Sequence, residues 1–269
     1  MPRSEACVLD PSHPPLRHLF DVKRWEITQC SACGLIMTGS AFEEEQYDSA
    51  NYYTMRFDKA DEIYFEWGFR WRWILGQIGR YRTPGASLDV GAGNGLFVKI
   101  AGEEFGWKAR GIELSKAEVA FAKEALGVEI ETKMLADVPE QFDLLTSFNV
   151  LEHVTDPLGL ISEMRDRLNP GGLLVVSTPN PGCAQAKVKG LRDWGMISPP
   201  HHINIFTRPS LELALTQSGF EVLQYDTLST YISALRRIEK RGTLLRQAAF
   251  ELLRRTGLGA DHFAIARKR

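Results

Sequence analysis

Ser87-Leu88-Asp89-Val90-Gly91-Ala92-Gly93-Asn94-Gly95-Leu96-Phe97, followed by Gly111-Ile112-Glu113-Leu114-Ser115, reads as a strand, a glycine turn, a helix start and a second strand that ends on an acid. A strand that reverses into a helix within about four residues needs glycine, which adopts backbone conformations closed to other residues and lets a ligand lie against bare backbone. A nucleotide-like ligand is the first expectation. Spacing separates the candidates: a dinucleotide turn runs G-x-G-x-x-G, whereas this one runs Gly91-x-Gly93-x-Gly95 with Asp89 just before it. A pyrophosphate site prefers helix N–H groups and no acid at the turn, and Asp89 departs from that.

The run D-V-G-A-G-N-G, with Glu113 at the tip of the next strand, resembles the binding signature of class I S-adenosylmethionine-dependent methyltransferases. The resemblance implies a cofactor site in which Gly91, Ala92, Gly93 and Gly95 lie against the methionine and ribose end. By the same resemblance Asp89 meets the cationic amino-acid end directly or through water, and Glu113 takes the ribose hydroxyls. Leu114 would pack on adenine, Leu135 or Ala136 near the end of a third strand would line its other face, and Asn149 would sit near the transferring methyl. The fold implied is α/β, a doubly wound, seven-stranded, mostly parallel sheet of Rossmann-like type.

The rest of the chain agrees in its local pattern. Gln141 to Val154 reads as an apolar strand ending in a polar cluster, Leu158 to Leu168 has helical spacing, Asn169-Pro170-Gly171-Gly172 breaks it, and Leu173 to Thr178 is a buried strand. Phe206-Thr207-Arg208-Pro209-Ser210 opens a helix, with Thr207 or Ser210 as cap and Pro209 in the first turn. Phe220 to Leu223 and His262 to Ala266 supply the last strands, the final one antiparallel as the family implies.

The 269 residues suit one catalytic domain with additions: a cysteine-containing module over 1–45, an aromatic helical linker or lid over 46–83, and the methyltransferase domain over 84–269 with a helical insertion at about 231–257. Lys+Arg 32 against Asp+Glu 34 gives a net charge of −2, which argues against nucleic acid as partner. The absence of a spanning apolar run or a signal-like start points to a cytoplasmic protein. Oligomeric state is not written in the sequence. The basic, amphipathic 231–257 stretch, with Arg236, Arg237, Lys240, Arg241, Arg246, Arg254 and Arg255 among leucines, offers contact with an acidic membrane surface or a phosphorylated substrate, or packs as a hairpin on the sheet edge. Tyr47, Tyr52, Tyr53, Phe57, Tyr64, Phe65, Trp67, Phe69, Trp71 and Trp73 make the linker aromatic, with Asp58 to Ile78 helical in character; core or interdomain packing is the expectation for most of them, with a substrate pocket or cation–π contact with the sulfonium open for the rest.

Cys30-Ser31-Ala32-Cys33-Gly34-Leu35 has the spacing of a zinc knuckle, and Cys7 lies upstream with Asp10 where a second cysteine would complete a ribbon. It resembles a zinc-binding module that precedes the catalytic domain in bacterial methyltransferases of sugars and other small metabolites. Cys7, Cys30 and Cys33 are the candidate ligands, and Asp10, His13 or His18 a fourth. A metal-free remnant is the alternative, and a disulfide is disfavoured in a reducing compartment.

Chemistry in an open α/β sheet belongs to the loops at the carboxyl ends of its strands. Asn149-Val150-Leu151-Glu152-His153 and Pro199-Pro200-His201-His202-Ile203-Asn204 are there. Methyl transfer requires alignment of the acceptor and, for a hydroxyl, removal of its proton, so His153, His201 and His202 are the candidate bases. Glu152-His153 with a later His202 also resembles the metal-assisted methyltransferases of small RNA and of the ubiquinone pathway, whose first carboxylate is here Asn149. The expected function is transfer of a methyl from S-adenosylmethionine to a small-molecule acceptor, a hydroxyl of a sugar or secondary metabolite, with carbon methylation of a deoxysugar as rival. A catalytically inactive scaffold and a metal-assisted RNA 2′-O-methyltransferase are the other readings.

Overall fold

The structure is a computed structural model that describes residues 6–38, 60–229 and 242–269. The described strands form two sheets. The larger has six strands, β4 (Ala86–Val90), β5 (Lys108–Ile112), β6 (Phe142–Phe148), β7 (Leu168–Pro179), β9 (Phe220–Leu228) and β10 (Asp261–Lys268), in the order β5-β4-β6-β7-β10-β9. The four strands β5, β4, β6 and β7 are parallel, and β10 runs antiparallel between β7 and β9.

Seven strands were the expectation, and the third is reduced to one parallel bridge, Ile112 to Glu131. The segment Glu129-Ile130-Glu131-Thr132-Lys133 has one buried apolar side chain, Ile130, to hold it against the sheet. Glu131 instead points out to Arg110 and Lys133, each at 2.6 Å, so the edge is capped by ion pairs rather than extended. A second departure concerns Asn169-Pro170-Gly171-Gly172. The strand begins earlier than expected, at Leu168 opposite Phe142, resumes with Leu173 opposite Leu144, and carries the four residues between as an irregularity. Gly171 at φ 69° makes that outward loop within one strand.

Helices α1 (Ala60–Ile78), α2 (Leu96–Phe105), α3 (Lys116–Phe121) and α7 (Gly242–Thr256) pack on one face, through Ile74, Leu75, Ile78, Phe97, Phe121, Phe250 and Phe263. Helices α4 (Pro157–Asp166) and α6 (Arg208–Gln217) cover the other through Ile161, Met164, Leu211 and Leu215. The sequence starts these helices by recognisable means. Asp156 caps α4 through Gly159 N–H at 2.8 Å, and Thr207 with Ser210 forms a reciprocal capping box at α6, with Pro209 in the first turn. Most of the described aromatic side chains of α1 are packing groups: Trp71 lies 5.5 Å from Phe97 and 4.8 Å from Phe148, and Trp73 lies 5.4 Å from Phe250. Tyr47, Tyr52, Tyr53 and Phe57, the Phe65 side chain, and residues 231–241 with Arg236, Arg237, Lys240 and Arg241 lie outside what is described. No helix among the described residues is long and apolar enough to cross a membrane.

The smaller sheet joins the first three strands to a short strand late in the chain. Strands β1 (Arg17–Val22), β2 (Trp25–Gln29) and β3 (Ile36–Thr38) form an antiparallel ribbon, and its fourth strand is β8 (Asn204–Ile205), which precedes α6. Ile36 pairs with Ile205 and Met37 with Asn204. Cys7, Leu9, Leu35 and Met37 share a buried cluster with Phe206 and Leu211, so the ribbon is fused to the sheet's helical face.

One polar tie fixes α1 to the sheet. Arg70, 1% exposed, pairs with Asp261 at the start of β10, reaches Ser177 Oγ at 3.3 Å, and lies about equally over Trp67 and Trp71, at 5.6 and 5.5 Å. Removing one member of such a pair leaves an uncompensated buried charge. Arg70→Leu is expected to lower stability by about 3–5 kcal/mol in urea unfolding, and Arg70→Leu with Asp261→Leu to recover part of that loss.

Candidate functional site

The glycine turn leaves β4 at Val90 and enters α2 at Leu96. Gly91, Gly93 and Gly95 all lie at positive φ, 74°, 50° and 76°. Their surroundings differ. A Cβ at Gly91 would come within 2.5 Å of Val150 and one at Gly95 within 3.2 Å of Ala122, whereas one at Gly93 would meet no protein atom within 4 Å. A side chain at Gly91 would therefore clash with Val150, and one at Gly95 would be crowded as well as held at positive φ. Gly93 opens outward, on the side where a ligand would lie against backbone.

Glu113 is held over this opening. Gly93 N–H donates to its Oε2 at 2.9 Å and Ser115 N–H to its Oε1 at 2.8 Å, and the side chain is 7% exposed. Each oxygen keeps a further lone pair, so a pair of vicinal hydroxyls fits this carboxylate. Beneath the turn, Asp89 is buried and accepts from Thr146 Oγ1 at 2.6 Å. Burial pushes its carboxyl up to about 7, with the Glu113 charge adding to the rise and the Thr146 hydroxyl opposing it. Glu118, on the first turn of α3, is likewise pushed up to about 7 by burial and by Glu113. Three acids thus crowd one turn, two of them ionising only near pH 7, and a cationic ligand would favour their charged forms. Glu118 escaped the sequence reading because its i+5 relation to Glu113 spans a strand end and a cap, a geometry with no fixed sequence period. Leu114 is 36% exposed at the rim, Ala92 and Leu135 are buried, and Ala136 is exposed on the short turn after the Glu131 bridge.

The second cluster stands at the ends of β6 and β7. Asn149 has φ 57°, accepts from Ser177 Oγ at 3.3 Å, and donates to Asp261 at 3.5 Å, so the Arg70–Asp261 pair reaches this loop. Glu152 is 1% exposed and receives Thr178 Oγ1 at 2.9 Å. Burial raises its carboxyl to about 7, against the pull of His202. His153 Nδ1 donates to the His201 carbonyl at 2.9 Å, and His202 Nδ1 to the Met196 carbonyl at 2.8 Å. These bonds fix the tautomers and make Nε2 the acceptor nitrogen of each ring. Burial lowers His153 to about 4 and lowers His202 as well, so both are neutral at pH 7. One ligand atom each from Glu152, His153 and His202 falls within 4.8 Å of the others. The His201 side chain is outside that set, and its carbonyl is what orients His153.

In the ribbon, Cys7, His13, Cys30 and Cys33 place their donor atoms within 4.8 Å of one another. Cys7 Sγ is 3.6 Å from Cys33 Sγ, and Cys30 Sγ is 3.3 Å from His13 Nδ1. A tetrahedral zinc with bonds of about 2.3 Å to sulfur and 2.0 Å to nitrogen sets edges of about 3.5–3.8 Å, which these distances approach. Asp10 stands behind the imidazole, its Oδ2 3.6 Å from His13 Nε2, where a carboxylate orients a ligating histidine. His18 instead faces Asp21 on β1.

Comparison with known proteins agrees with this geometry. The family described as "Methyltransferase domain" matches residues 72–225, more than half of the chain, and the chain belongs to it. Among curated proteins it is 34% identical over 149 residues to a ubiquinone biosynthesis O-methyltransferase of Xanthomonas campestris pv. campestris (strain B100), covering 50% of this chain and 62% of that one. It is 33% identical over 102 residues to the protein of the same description in Stutzerimonas stutzeri (strain A1501), covering 35% and 44%. The chain thus spans about half the length of the curated relatives it matches. An S-adenosylmethionine-dependent methyltransferase structure from Mesorhizobium loti superposes with a TM-score of 0.52 at 23% identity, over 76% of this chain and 98% of that one, which establishes the fold.

The raised Asp89 carboxyl has a measurable consequence. A cation bound at the turn favours the ionised acids, so affinity for a ligand that carries an ammonium, such as S-adenosylhomocysteine, is expected to rise with pH up to about 7 and then level off, with proton release from Asp89 and Glu118 below that value. Calorimetric titration in buffers of different ionisation enthalpy reads the release, which Asp89→Asn should diminish.

Proposed function

We propose that this chain is an S-adenosylmethionine-dependent O-methyltransferase of a small hydroxylated molecule, with a structural zinc in its N-terminal ribbon. The observation that carries the reading is the Glu113 carboxylate, pinned by Gly93 and Ser115 N–H groups beside the one glycine of the turn whose missing Cβ leaves open space. Glu113 would accept the ribose hydroxyls, Asp89 would face the ammonium, and Leu114 would lie on the adenine. Bound there, S-adenosylmethionine would supply a methyl group already activated by a sulfonium.

The acceptor would enter between Asn149 and the Glu152–His153–His202 cluster. A neutral histidine is needed to receive the hydroxyl proton as the methyl arrives, and His202 suits this better than His153, whose value near 4 makes it a weak base. Glu152, buried beside the rings, would stabilise the imidazolium that forms. A second reading is favoured by one specific observation: both Nδ1–H groups are committed to carbonyls, the usual support of metal-ligating histidines, so the same three side chains would hold a divalent ion. The relatives' description as ubiquinone biosynthesis O-methyltransferases supports an oxygen of a small molecule as acceptor.

Two measurements test this reading. S-adenosylhomocysteine should bind with micromolar affinity, and Glu113→Ala should weaken it by at least about tenfold, roughly 1.4 kcal/mol. In methyl-transfer assays over hydroxylated sugars and phenols, His202→Asn should lower kcat by about 10²–10⁴ while leaving affinity for S-adenosylhomocysteine unchanged. Absence of binding by the intact chain would refute the enzyme reading in favour of a scaffold. For the ribbon, about one equivalent of zinc per chain is expected by atomic emission, and its loss in His13→Ala.

A further inference from the structure

The loop carrying His201 and His202 is clasped on two sides. On its inner side, Ile203 and Asn204 N–H both donate to the Glu152 carbonyl, at 2.8 and 3.1 Å, and Asn204 Nδ2 donates to the Val154 carbonyl at 2.6 Å. Its outer side is held by the cysteine ribbon. The knuckle closes through Gly34 N–H to the Cys30 carbonyl and Cys30 N–H to the Leu35 carbonyl, each at 2.9 Å, and β3 follows at once. Beyond the β3–β8 pairing, Thr38 N–H donates to the Ile203 carbonyl at 3.0 Å and Thr38 Oγ1 to the His202 carbonyl at 3.3 Å. From the other end of the loop, Thr207 Oγ1 donates to the carbonyl of Cys33 itself, at 3.2 Å.

A candidate metal ligand is therefore one hydrogen bond from the cap of α6, and a candidate base is one hydrogen bond from the strand that the knuckle launches. The ribbon is small: β3 has three residues and β8 two, too little pairing to persist without support. Binding energy at a four-donor zinc centre becomes folding energy of the segment that supplies the donors. The glycine turn leaves β4, the neighbour of β6, and its own clasp, Gly93 N–H to Glu113, is separate from these hydrogen bonds.

We propose that metal at Cys7, His13, Cys30 and Cys33 seats the His201–His202 loop through β3, so that the ribbon is a positioning device for the acceptor side of the site and not for the cofactor side. This rests on the zinc reading above. Thr38 and Thr207 are its positioning residues.

The test uses the full chain, with metal content, backbone amide hydrogen exchange and calorimetry with S-adenosylhomocysteine as separate readouts. Metal removal by a chelator, or Cys30→Ser, should raise exchange at residues 36–38 and 202–206 by at least about tenfold. Exchange at 91–95 and 111–115, and affinity for S-adenosylhomocysteine, should change by less than about twofold. Thr38→Val keeps all four donors and should keep the metal, yet raise exchange around His202; this variant decides the matter if Cys30→Ser does not fold. Demonstrated metal loss with unchanged exchange at 202–206 would overturn the coupling while leaving the zinc centre standing. A chain that holds no zinc and binds no added cobalt would overturn the centre and the coupling together, without touching the methyltransferase reading.

Discussion

The carboxylate of Glu113 bonds the N–H groups of Gly93 and Ser115, and in doing so ties the turn after one strand to the cap of the helix after the next. Everything on the cofactor side follows from that bridge. It orients the acid through two backbone N–H groups, and it fixes the turn whose open glycine faces outward. The cost falls on its neighbours: burial, with the charge of Glu113 adding to it, makes Asp89 and Glu118 harder to ionise. Under the proposed reading that strain is useful, because the charge of a cationic ligand would relieve it.

The acceptor side is organised differently. Here carbonyls do the orienting: His201 and Met196 each fix an imidazole tautomer, and Glu152 uses its carbonyl to hold the loop while its carboxylate stays buried under Thr178. Asn149 ties this loop to α1, since it bonds Asp261 and Ser177, the partners of Arg70.

What the sequence made legible were short-range features whose chemistry lies within a few residues: the three glycines, Glu113, the Thr207–Ser210 box with its proline, and Cys30-x-x-Cys33-Gly34. What it hid were contacts made across long stretches of chain. Arg70 reads as one more cation on an aromatic helix until Asp261 is brought to it. Asn204 and Ile205 are too short a strand for any periodicity to announce. The lost third strand and the irregular start of β7 share a cause: propensity suggests where a strand fits, and the burial available at that edge or turn decides how much of it forms. His13 was one of three candidates by composition, and only the fold, which turns His18 toward Asp21, separated them.

The ribbon also bears on the order in which the molecule can be assembled. Thr38 bonds a carbonyl 164 residues further along the chain, so during synthesis at about 5–20 residues per second β3 would present a bare edge for roughly 10–30 s before β8 exists to cover it. An exposed edge is an invitation to pair with another nascent chain. Cys7, His13, Cys30 and Cys33, however, all precede β3. A metal gathered by those four would stiffen the ribbon while its partner strand was still unmade, giving the earliest part of the chain a reason to hold its shape alone.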